Sequence, residues 1–241
     1  MELSFKHQLG LVCVILFFPA LCNCQEYIGP VDDYWNPIGA CGFGEYGKTV
    51  NNGIVAAVSE PLWRDGAGCG TCYQVCCKLQ CCDEKGVYVV VSDAQGDRRN
   101  SSLTLSPGAL SILVHNKPGC ANRIKHDMGD IAIKRVPCRY PGNIMLRVQE
   151  SSENPGYFAV VILDVNGIRD ITAVEMWLKS QQRWEPLRRS YGAVFDFANP
   201  PSGEILLRFK AGFWKQAKIP ANWKPGATYD TKVQIPGTYY K

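Results

Sequence analysis

The chain has 241 residues, of which 46% are hydrophobic and 20% are charged. A chain this apolar can bury enough surface to offset the entropy lost on ordering, which excludes a disordered protein, and it has no collagen or coiled-coil repeat. The net charge is only +4, and no run of Lys or Arg exceeds a pair such as Arg188-Arg189, which excludes nucleic acid as a partner. These features indicate a globular protein of one large or two small domains.

The N-terminal segment has the features of a secretory signal peptide. Lys6 and His7 precede an apolar run at residues 9–21, and small residues before Gln25 suit cleavage at that point. The run is too short for a membrane span, no second apolar segment follows it, and a buried helix without a polar face would be hard for a small domain to cover. We therefore expect residues 1–24 to be removed and the remainder to be soluble and extracellular, with no membrane partner.

In a secreted protein the cysteines are expected to form disulfides, and an Asn-x-Ser sequence can be N-glycosylated. All twelve cysteines precede Arg139, and nine of them, an odd number, remain after removal of the signal peptide. Disulfides are expected rather than a metal site, because Cys69 and Cys72 have no matching second pair and the histidines lack ligand spacing. At least one thiol must then be free, paired between molecules or otherwise capped, and no metal or cofactor is predicted. Asn100 begins an Asn-Ser-Ser sequence that matches an N-glycosylation acceptor.

Residues 25–140 are predicted to form a β-rich first domain. Residues 87–91 form a β-branched run between Gly86 and Asp93 that is typical of a buried strand. Ser106-Pro107 is typical of a helix start, which predicts one short helix in this domain. Many short strands with glycine turns favour a barrel whose long loops the disulfides would hold.

Residues 141–241 are predicted to form a second domain, because Pro141-Gly142 ends one pattern and another begins. Apolar runs at residues 158–164, 173–177 and 204–209 are separated by turn sequences, a spacing that favours an antiparallel β-sandwich. From residue 142 onward this half carries 13 Lys and Arg against 9 Asp and Glu, so the net positive charge belongs to it.

Five motifs together identify a family. They are GACGFG at 39–44, GCGTCYQVCC at 68–77, RVPC at 135–138, YGAVF at 191–195 and IPANW at 219–223. In the order and spacing of these motifs the chain resembles the plant expansin superfamily over essentially all of its mature length, and it is most similar to the expansin-like B branch. The resemblance implies a mainly β protein with a disulfide-stapled six-stranded double-psi β-barrel, similar to family-45 glycoside hydrolases. An immunoglobulin-like antiparallel β-sandwich that binds polysaccharide would follow the barrel.

The resemblance also implies a disulfide pattern. The implied bonds are Cys41–Cys69, Cys72–Cys138 and Cys77–Cys82. Cys76, Cys81 and Cys120 fall outside the family's usual six cysteines. A Cys76–Cys81 bridge across a hairpin would leave Cys120 single, but spacing alone does not give the connectivity.

Asp93 and Thr104 bear on whether the chain is an enzyme. Inverting glycosidases need one carboxyl group to protonate the leaving oxygen and another to activate water. In active relatives the acid lies in a His-Phe-Asp motif after the strand that here ends at Asp93, and Thr104 stands at its position. A hydroxyl cannot protonate a leaving alkoxide at neutral pH, so the resemblance implies a vestigial groove and no catalysis. Asp93 by itself is more typical of a strand-end side chain that caps a turn, whereas the resemblance favours its placement in the groove. Asp32 and Asp33 are more typical of solvated turn acids than of groove residues.

Aromatic side chains are the expected binding groups, because flat apolar sugar faces pack on rows of rings. The polysaccharide-binding residues implied by the resemblance are Tyr34, Trp35, Asp93, Tyr157, Phe158 and Tyr191. Tyr34 and Trp35 fit core packing equally well, and Tyr157 and Phe158 point to opposite faces of a regular strand unless a bulge intervenes. Trp177 and Trp184 are predicted to lie in the core.

The sequence therefore predicts a secreted, monomeric plant cell-wall protein. It would bind wall polysaccharide of the cellulose or xyloglucan class and could loosen or modify the wall without hydrolysis, because disordering needs only preferential binding of a strained glucan. One alternative is a polysaccharide hydrolase or lytic transglycosylase that uses Asp93, and another is a carbohydrate-binding or signalling protein without loosening activity. The positive charge of the second half would also favour acidic wall polymers such as pectin.

Overall fold

The computed structural model describes residues 26–27, 38–95, 103–115, 119–120, 122, 124 and 131–236. The predicted signal peptide lies outside these ranges, and so do five residues considered above as possible groove, binding or glycosylation sites, namely Asp32, Asp33, Tyr34, Trp35 and Asn100. Within the described ranges, no helix has both the length and the apolar character needed to cross a membrane.

The first half of the chain forms one six-stranded sheet with short helices packed beside it. Its elements are β1 (Glu26–Tyr27), α1 (Tyr46–Thr49), a 3-10 turn (Val50–Gly53), β2 (Val55–Val58), α2 (Glu60–Trp63), β3 (Cys72–Cys77), β4 (Val87–Ala94), β5 (Leu103–Leu105), α3 (Pro107–Leu113) and β6 (Ile131–Val136). The strand order is β1-β6-β3-β4-β2-β5, in which β2 and β4 run parallel and the other neighbours run antiparallel.

The local signals in this half produce the predicted elements. The β-branched run lies in β4, where Tyr88 is the one exposed side chain. The predicted helix is α3, and the Ser106 hydroxyl accepts a hydrogen bond from the Ala109 N–H at 3.3 Å as its N-cap, with Pro107 at the first helical position.

Four disulfides among the described residues hold the loops and strands of this half together. The structure contains the three implied pairs, Cys41–Cys69, Cys72–Cys138 and Cys77–Cys82. Cys81 bonds to Cys120, so the suggested Cys76–Cys81 bridge is wrong. The reason is strand alternation, because Cys77 packs against the barrel core near these sulfurs whereas its neighbour Cys76 points to the other side of β3. Cys76 is itself disulfide-bonded in this structure.

The second half forms two antiparallel sheets packed face to face. Its strands are β7 (Met145–Val148), β8 (Tyr157–Leu163), β9 (Ala173–Leu178), β10 (Arg183–Pro186), β11 (Arg188–Tyr191), β12 (Val194–Ala198), β13 (Ile205–Ala211), β14 (Phe213–Ile219) and β15 (Thr228–Asp230). One sheet has the order β10-β9-β13-β14 and the other β11-β12-β8-β7-β15. The sandwich predicted from the spacing of apolar runs is confirmed.

The five-stranded sheet is buried on both faces because it lies between the barrel and the four-stranded sheet. Phe158, Val160 and Ile162 of β8 point into the sandwich core. The alternate residues Ala159 and Val161 pack instead against the core of the barrel. The molecule thus has three layers, and the outer face of the four-stranded sheet is turned to solvent.

Trp177 and Trp184 lie on that outer face, so their predicted core location is wrong. Trp177 of β9 pairs with Trp184 of β10. Val174 and Met176 are the buried residues of β9, so the alternate position Trp177 points to the opposite, outer face. Both indoles are half-buried, and they contact each other with ring centroids 5.4 Å apart. The general tendency of tryptophan to be buried is overridden by the register of the strands.

Candidate functional site

Asp93 lies near the end of β4 and is only 8% exposed. Its Oδ1 accepts hydrogen bonds from the backbone N–H of Ala94 at 2.8 Å and of Ala40 at 2.6 Å. Gly39, with φ of 63°, lets the loop approach this strand closely, because a Cβ there would lie 2.1 Å from the carbonyl oxygen of Ser92. The carboxylate therefore holds a loop against the strand, which agrees with the turn-capping interpretation of Asp93.

Thr104 lies in the same row of the barrel sheet as Asp93. Ala57 of β2 pairs with Asp93 on one side and with Thr104 on the other, so the three residues are neighbours across three strands. Thr104 is 3% exposed. Among the described residues of this row Asp93 supplies the one carboxyl group, whereas glycoside hydrolysis by inversion requires two.

Tyr157 and Tyr191 lie on the barrel-facing side of the five-stranded sheet. Tyr157 shares this side with Ala159 in β8, and its half-buried ring packs against the barrel core cluster. Tyr191 pairs with Val194 beside a register shift at the end of β11, and it is 54% exposed. Its ring lies against the barrel backbone, since a Cβ on Gly42 would be 3.0 Å from it. The two tyrosines therefore lie on one side of the sheet, and we call them the tyrosine platform.

Hydrogen bonds hold one end of the tyrosine platform in place. The hydroxyl of Tyr157 donates to Asp196 Oδ2 at 2.8 Å. The guanidinium of Arg188 donates to both carboxylate oxygens of Asp196, at 3.0 and 2.6 Å. These bonds favour the ionised carboxylate and hold the pKa of Asp196 below its usual range. The orientation of the Tyr157 ring is thereby restricted before any ligand binds.

Phe158 does not belong to this platform, so its predicted binding role is wrong. Its side chain is completely buried in the sandwich core and packs edge-on against Trp223, with ring centroids 5.5 Å apart. The strand between Tyr157 and Leu163 is regular, so adjacent residues point to opposite faces. The bulge that would have been needed to turn Phe158 outward is absent from this strand.

An ion-pair cluster joins the barrel to the sandwich. Arg64 follows α2 and Arg135 lies on β6, and both guanidinium groups donate to Asp170, which precedes β9. The Arg64 Nη2 atom is 3.2 and 3.1 Å from the two carboxylate oxygens. The pairing of two barrel cations with one sandwich carboxylate was not predicted, because the residues are far apart in the sequence.

A second polar contact lies beside a cavity of about 50 Å³ between the two domains. The Tyr46 hydroxyl donates to Asp164 Oδ1, and the cavity lining includes both residues together with Tyr140. Burial raises the pKa of both tyrosines, and burial also raises the pKa of Asp164 although the bond from Tyr46 opposes this. The junction thus contains buried polar groups that are satisfied by partners from the opposite domain.

Comparison with known proteins defines the family of the chain. The family model of the expansin C-terminal domain matches residues 144–222, which cover most of the sandwich. Expansin-like B1 of Arabidopsis thaliana is 41% identical, and the match covers 93% of this chain and 95% of that relative. The chain belongs to the expansin family. The resemblance inferred from the five motifs is confirmed, and so is its similarity to the expansin-like B branch.

Two solved structures show the same fold as this expansin-family chain. The crystal structure of an apo expansin of Clavibacter michiganensis superposes with a TM-score of 0.65 at 20% identity, covering 88% of this chain and 94% of that one. A mutant of the Clavibacter michiganensis expansin in complex with cellohexaose superposes with a TM-score of 0.61, also at 20% identity, covering 76% and 82%. The predicted architecture of a double-psi barrel followed by a β-sandwich is confirmed.

Proposed function

We propose that this expansin-family chain binds plant cell-wall polysaccharide on the tyrosine platform and the adjoining barrel surface, and that it loosens or modifies the wall without hydrolysis. The observation that carries the proposal is the location of Tyr157 and Tyr191. They lie on one side of the sandwich where it meets the barrel, and Tyr191 is exposed. The complex of the bacterial expansin with cellohexaose supports a glucan chain as the class of ligand.

The aromatic rings and the rigid junction together favour binding of an extended chain. A tyrosine ring offers an apolar face to a sugar and a hydroxyl at its edge. Tyr157 is held by Asp196, and the barrel is joined to the sandwich by the Asp170 cluster, so little conformational entropy is lost when a ligand binds. A surface held in this way can prefer a strained glucan over a relaxed one, which is sufficient for loosening.

The arrangement around Asp93 supports a non-hydrolytic function. Its Oδ1 already accepts two backbone hydrogen bonds, and Thr104, which the family resemblance assigns to the position of the second carboxyl group, carries only a hydroxyl. The hydrolase and transglycosylase alternative would require Asp93 to work with another acid. We further propose a monomer that is secreted after removal of residues 1–24, glycosylated at Asn100, and divided into domains at residues 25–140 and 141–241.

The test compares two exposed tyrosines. Tyr191 is 54% exposed on the platform and Tyr88 is 56% exposed on β4 of the barrel. We expect Tyr191→Ala to weaken cellohexaose and cellulose binding about five- to tenfold, the value of one lost aromatic contact, and Tyr88→Ala to leave it unchanged. Equal cellohexaose and cellulose binding by the two variants would contradict the proposed role of the tyrosine platform in binding.

The functional assay is extension of heat-inactivated wall strips. We expect creep with the wild-type protein and less creep with Tyr191→Ala, with no release of reducing ends from cellulose, xyloglucan or mixed-linkage glucan. Binding without creep would instead support a carbohydrate-binding protein that lacks loosening activity.

A further inference from the structure

The outer face of the four-stranded sheet carries tryptophans that the sandwich core does not use. Strand register places Trp177 of β9, Trp184 of β10 and Trp214 of β14 on this face, together with Arg208 and Lys210 of β13. We call these five residues the outer tryptophan face. Inward-pointing residues of the same strands, such as Met176 and Phe209, fill the core instead. The tryptophans are therefore not needed to complete the core.

Arg208 links the two sides of the outer tryptophan face. Its guanidinium carbon lies 4.5 Å from the ring centroid of Trp184 and 4.4 Å from that of Trp214. Glu175 holds the guanidinium in place by accepting a hydrogen bond from Arg208 Nε at 2.6 Å. Trp184 also contacts the ring of Trp177, its cross-strand neighbour on β9. These contacts immobilise the indoles before binding, which reduces the entropy that a ligand would have to overcome.

Cations without carboxylate partners gather at one end of the face, around the turn between β13 and β14. Lys210 lies 6.0 Å from the Trp214 ring, and the Arg169 side chain covers Gly212 in the turn. Lys215, 5.2 Å from the Phe213 ring, is near this end but points to the opposite side of β14, because it pairs with the inward-pointing Phe209. None of these three cations forms an ion pair with any carboxylate that the structure describes. By contrast, Glu175 neutralises Arg208. Among the described residues, the positive charge at this end of the sheet has no carboxylate partner.

An exposed ring lies beside Lys210 on this face. Trp214 is 38% exposed on this face. Rings offer apolar contact to the faces of sugar rings, and neighbouring ammonium groups attract anions. A neutral glucan would use only the rings, whereas a chain of uronate sugars would use both the rings and the cations.

We propose that the outer tryptophan face is a second polysaccharide site, whose ligand is an acidic chain bearing uronate carboxylates. The apolar sugar faces pack against Trp214 and the tryptophan pair, and the carboxylates lie near Lys210, at the end of the face by the turn between β13 and β14. Only the choice of a sugar polymer as ligand rests on the function proposed above. The charge complementarity that selects an acidic chain comes from the residues of this face alone.

The two sites lie on opposite sides of the sandwich. The tyrosine platform is on the barrel-facing side of the five-stranded sheet, whereas the outer tryptophan face is on the solvent side of the other sheet. Packed sheets are separated by about 10 Å. One molecule can therefore hold a neutral glucan and an acidic chain at the same time without competition between them.

The test measures binding of the full-length secreted protein to polygalacturonate and to the same polymer after complete methyl esterification. We expect the wild-type protein to bind the acidic form at least tenfold more tightly in dilute buffer, with the difference declining as salt is added. Lys210→Glu is compared with Lys134→Glu, an identical charge change at an exposed position on β6 of the barrel. We expect roughly fivefold or greater weakening for Lys210→Glu and little change for Lys134→Glu. If polygalacturonate binding were weakened equally in the two variants, the polymer would be attracted only by the net charge of the protein, and the proposed second site would be wrong.

A second pair of variants separates this proposal from the function proposed above. We expect Trp214→Ala to reduce polygalacturonate binding while leaving cellohexaose binding unchanged, and Tyr191→Ala to do the reverse. Thermal unfolding checks that both variants are folded. If Tyr191→Ala lost binding to both polygalacturonate and cellohexaose, there would be only one site. If the wild-type protein dimerised at high concentration and Trp214→Ala did not, the outer tryptophan face would bind a second copy of the chain. Either result would overturn the proposal, whereas failure of cellohexaose binding alone would leave it intact.

Discussion

Asp170 of the sandwich accepts hydrogen bonds from Arg64 of the barrel at 3.1 and 3.2 Å, and this contact crosses the junction between the two domains. Arg135 donates to the same carboxylate, so one anion balances two cations. The three side chains are largely shielded from solvent, which makes the cluster more valuable than an exposed ion pair.

Replacement of Asp170 by Ala is predicted to destabilise the protein by about 1–3 kcal/mol, because two partly buried arginines would face each other without a carboxylate. Urea unfolding measures the change. Glu45→Ala is the control, since Glu45 forms an exposed pair with Lys48 within one helical turn and its loss should cost no more than about 0.5 kcal/mol. Similar costs for the two variants would mean that Asp170 does not hold the junction.

Asp93 is predicted to be a structural rather than a catalytic residue. Asp93→Ala removes the acceptor of two backbone N–H groups and should destabilise the protein by about 2–3 kcal/mol. Asp93→Asn retains an acceptor oxygen and should cost less. Unfolding experiments measure both effects, and reducing-end assays accompany them. Release of reducing ends by the wild-type protein that disappears in Asp93→Ala would contradict the non-hydrolytic function.

The sequence predicts elements whose signals are local. The β-branched run of β4, the Ser106-Pro107 start of α3 and the alternation at Tyr157 and Phe158 are each read within a few residues. The family motifs add the barrel, the sandwich and three disulfide pairs. Local pattern and family resemblance together are thus sufficient for the architecture and for part of the tyrosine platform.

Long-range pairings could not be read in the same way. The partner of Asp93 is Ala40, 53 residues away, and Asp170 meets Arg64 across 106 residues. Trp177 points outward because the five-stranded sheet covers the other face of the four-stranded sheet. The residues around Trp177 in the sequence do not indicate which face will be covered. A resemblance suggested that Phe158 binds sugar, whereas strand alternation, which is local, correctly predicted that Phe158 and Tyr157 diverge.

Asp164 is predicted to make stability depend on pH in the direction opposite to that of Asp196. Burial raises the pKa of Asp164, so between the unfolded and folded pKa values the folded state binds more protons than the unfolded state. The contribution of Asp164 to stability therefore grows as the pH falls from neutral toward about 4, the ordinary pKa of Asp. The lowered pKa of Asp196 gives stability that is present above that value and lost below it.

Comparing Asp164→Asn with the wild-type protein isolates this effect, because all other titrating groups are shared. The wild-type protein should gain stability relative to Asp164→Asn as the pH is lowered from 7 toward 4, as measured by urea unfolding at several pH values. Asp196→Asn should show the opposite trend, losing its disadvantage in the acidic range. A difference between wild type and Asp164→Asn that does not vary with pH would contradict the prediction.

The two neighbouring disulfides Cys77–Cys82 and Cys81–Cys120 are predicted to exchange when one cysteine is removed. The Sγ atoms of Cys82 and Cys120 lie 3.7 Å apart although they belong to different bonds. In Cys81→Ser, the freed Cys120 thiolate can attack Cys82, forming a Cys82–Cys120 bond and releasing Cys77 as a thiolate. Peptide mapping after alkylation should find Cys77 alkylated in Cys81→Ser, whereas the double variant Cys81→Ser/Cys120→Ser should retain Cys77–Cys82. Alkylated Cys120 beside an intact Cys77–Cys82 bond would show that the two bonds do not exchange.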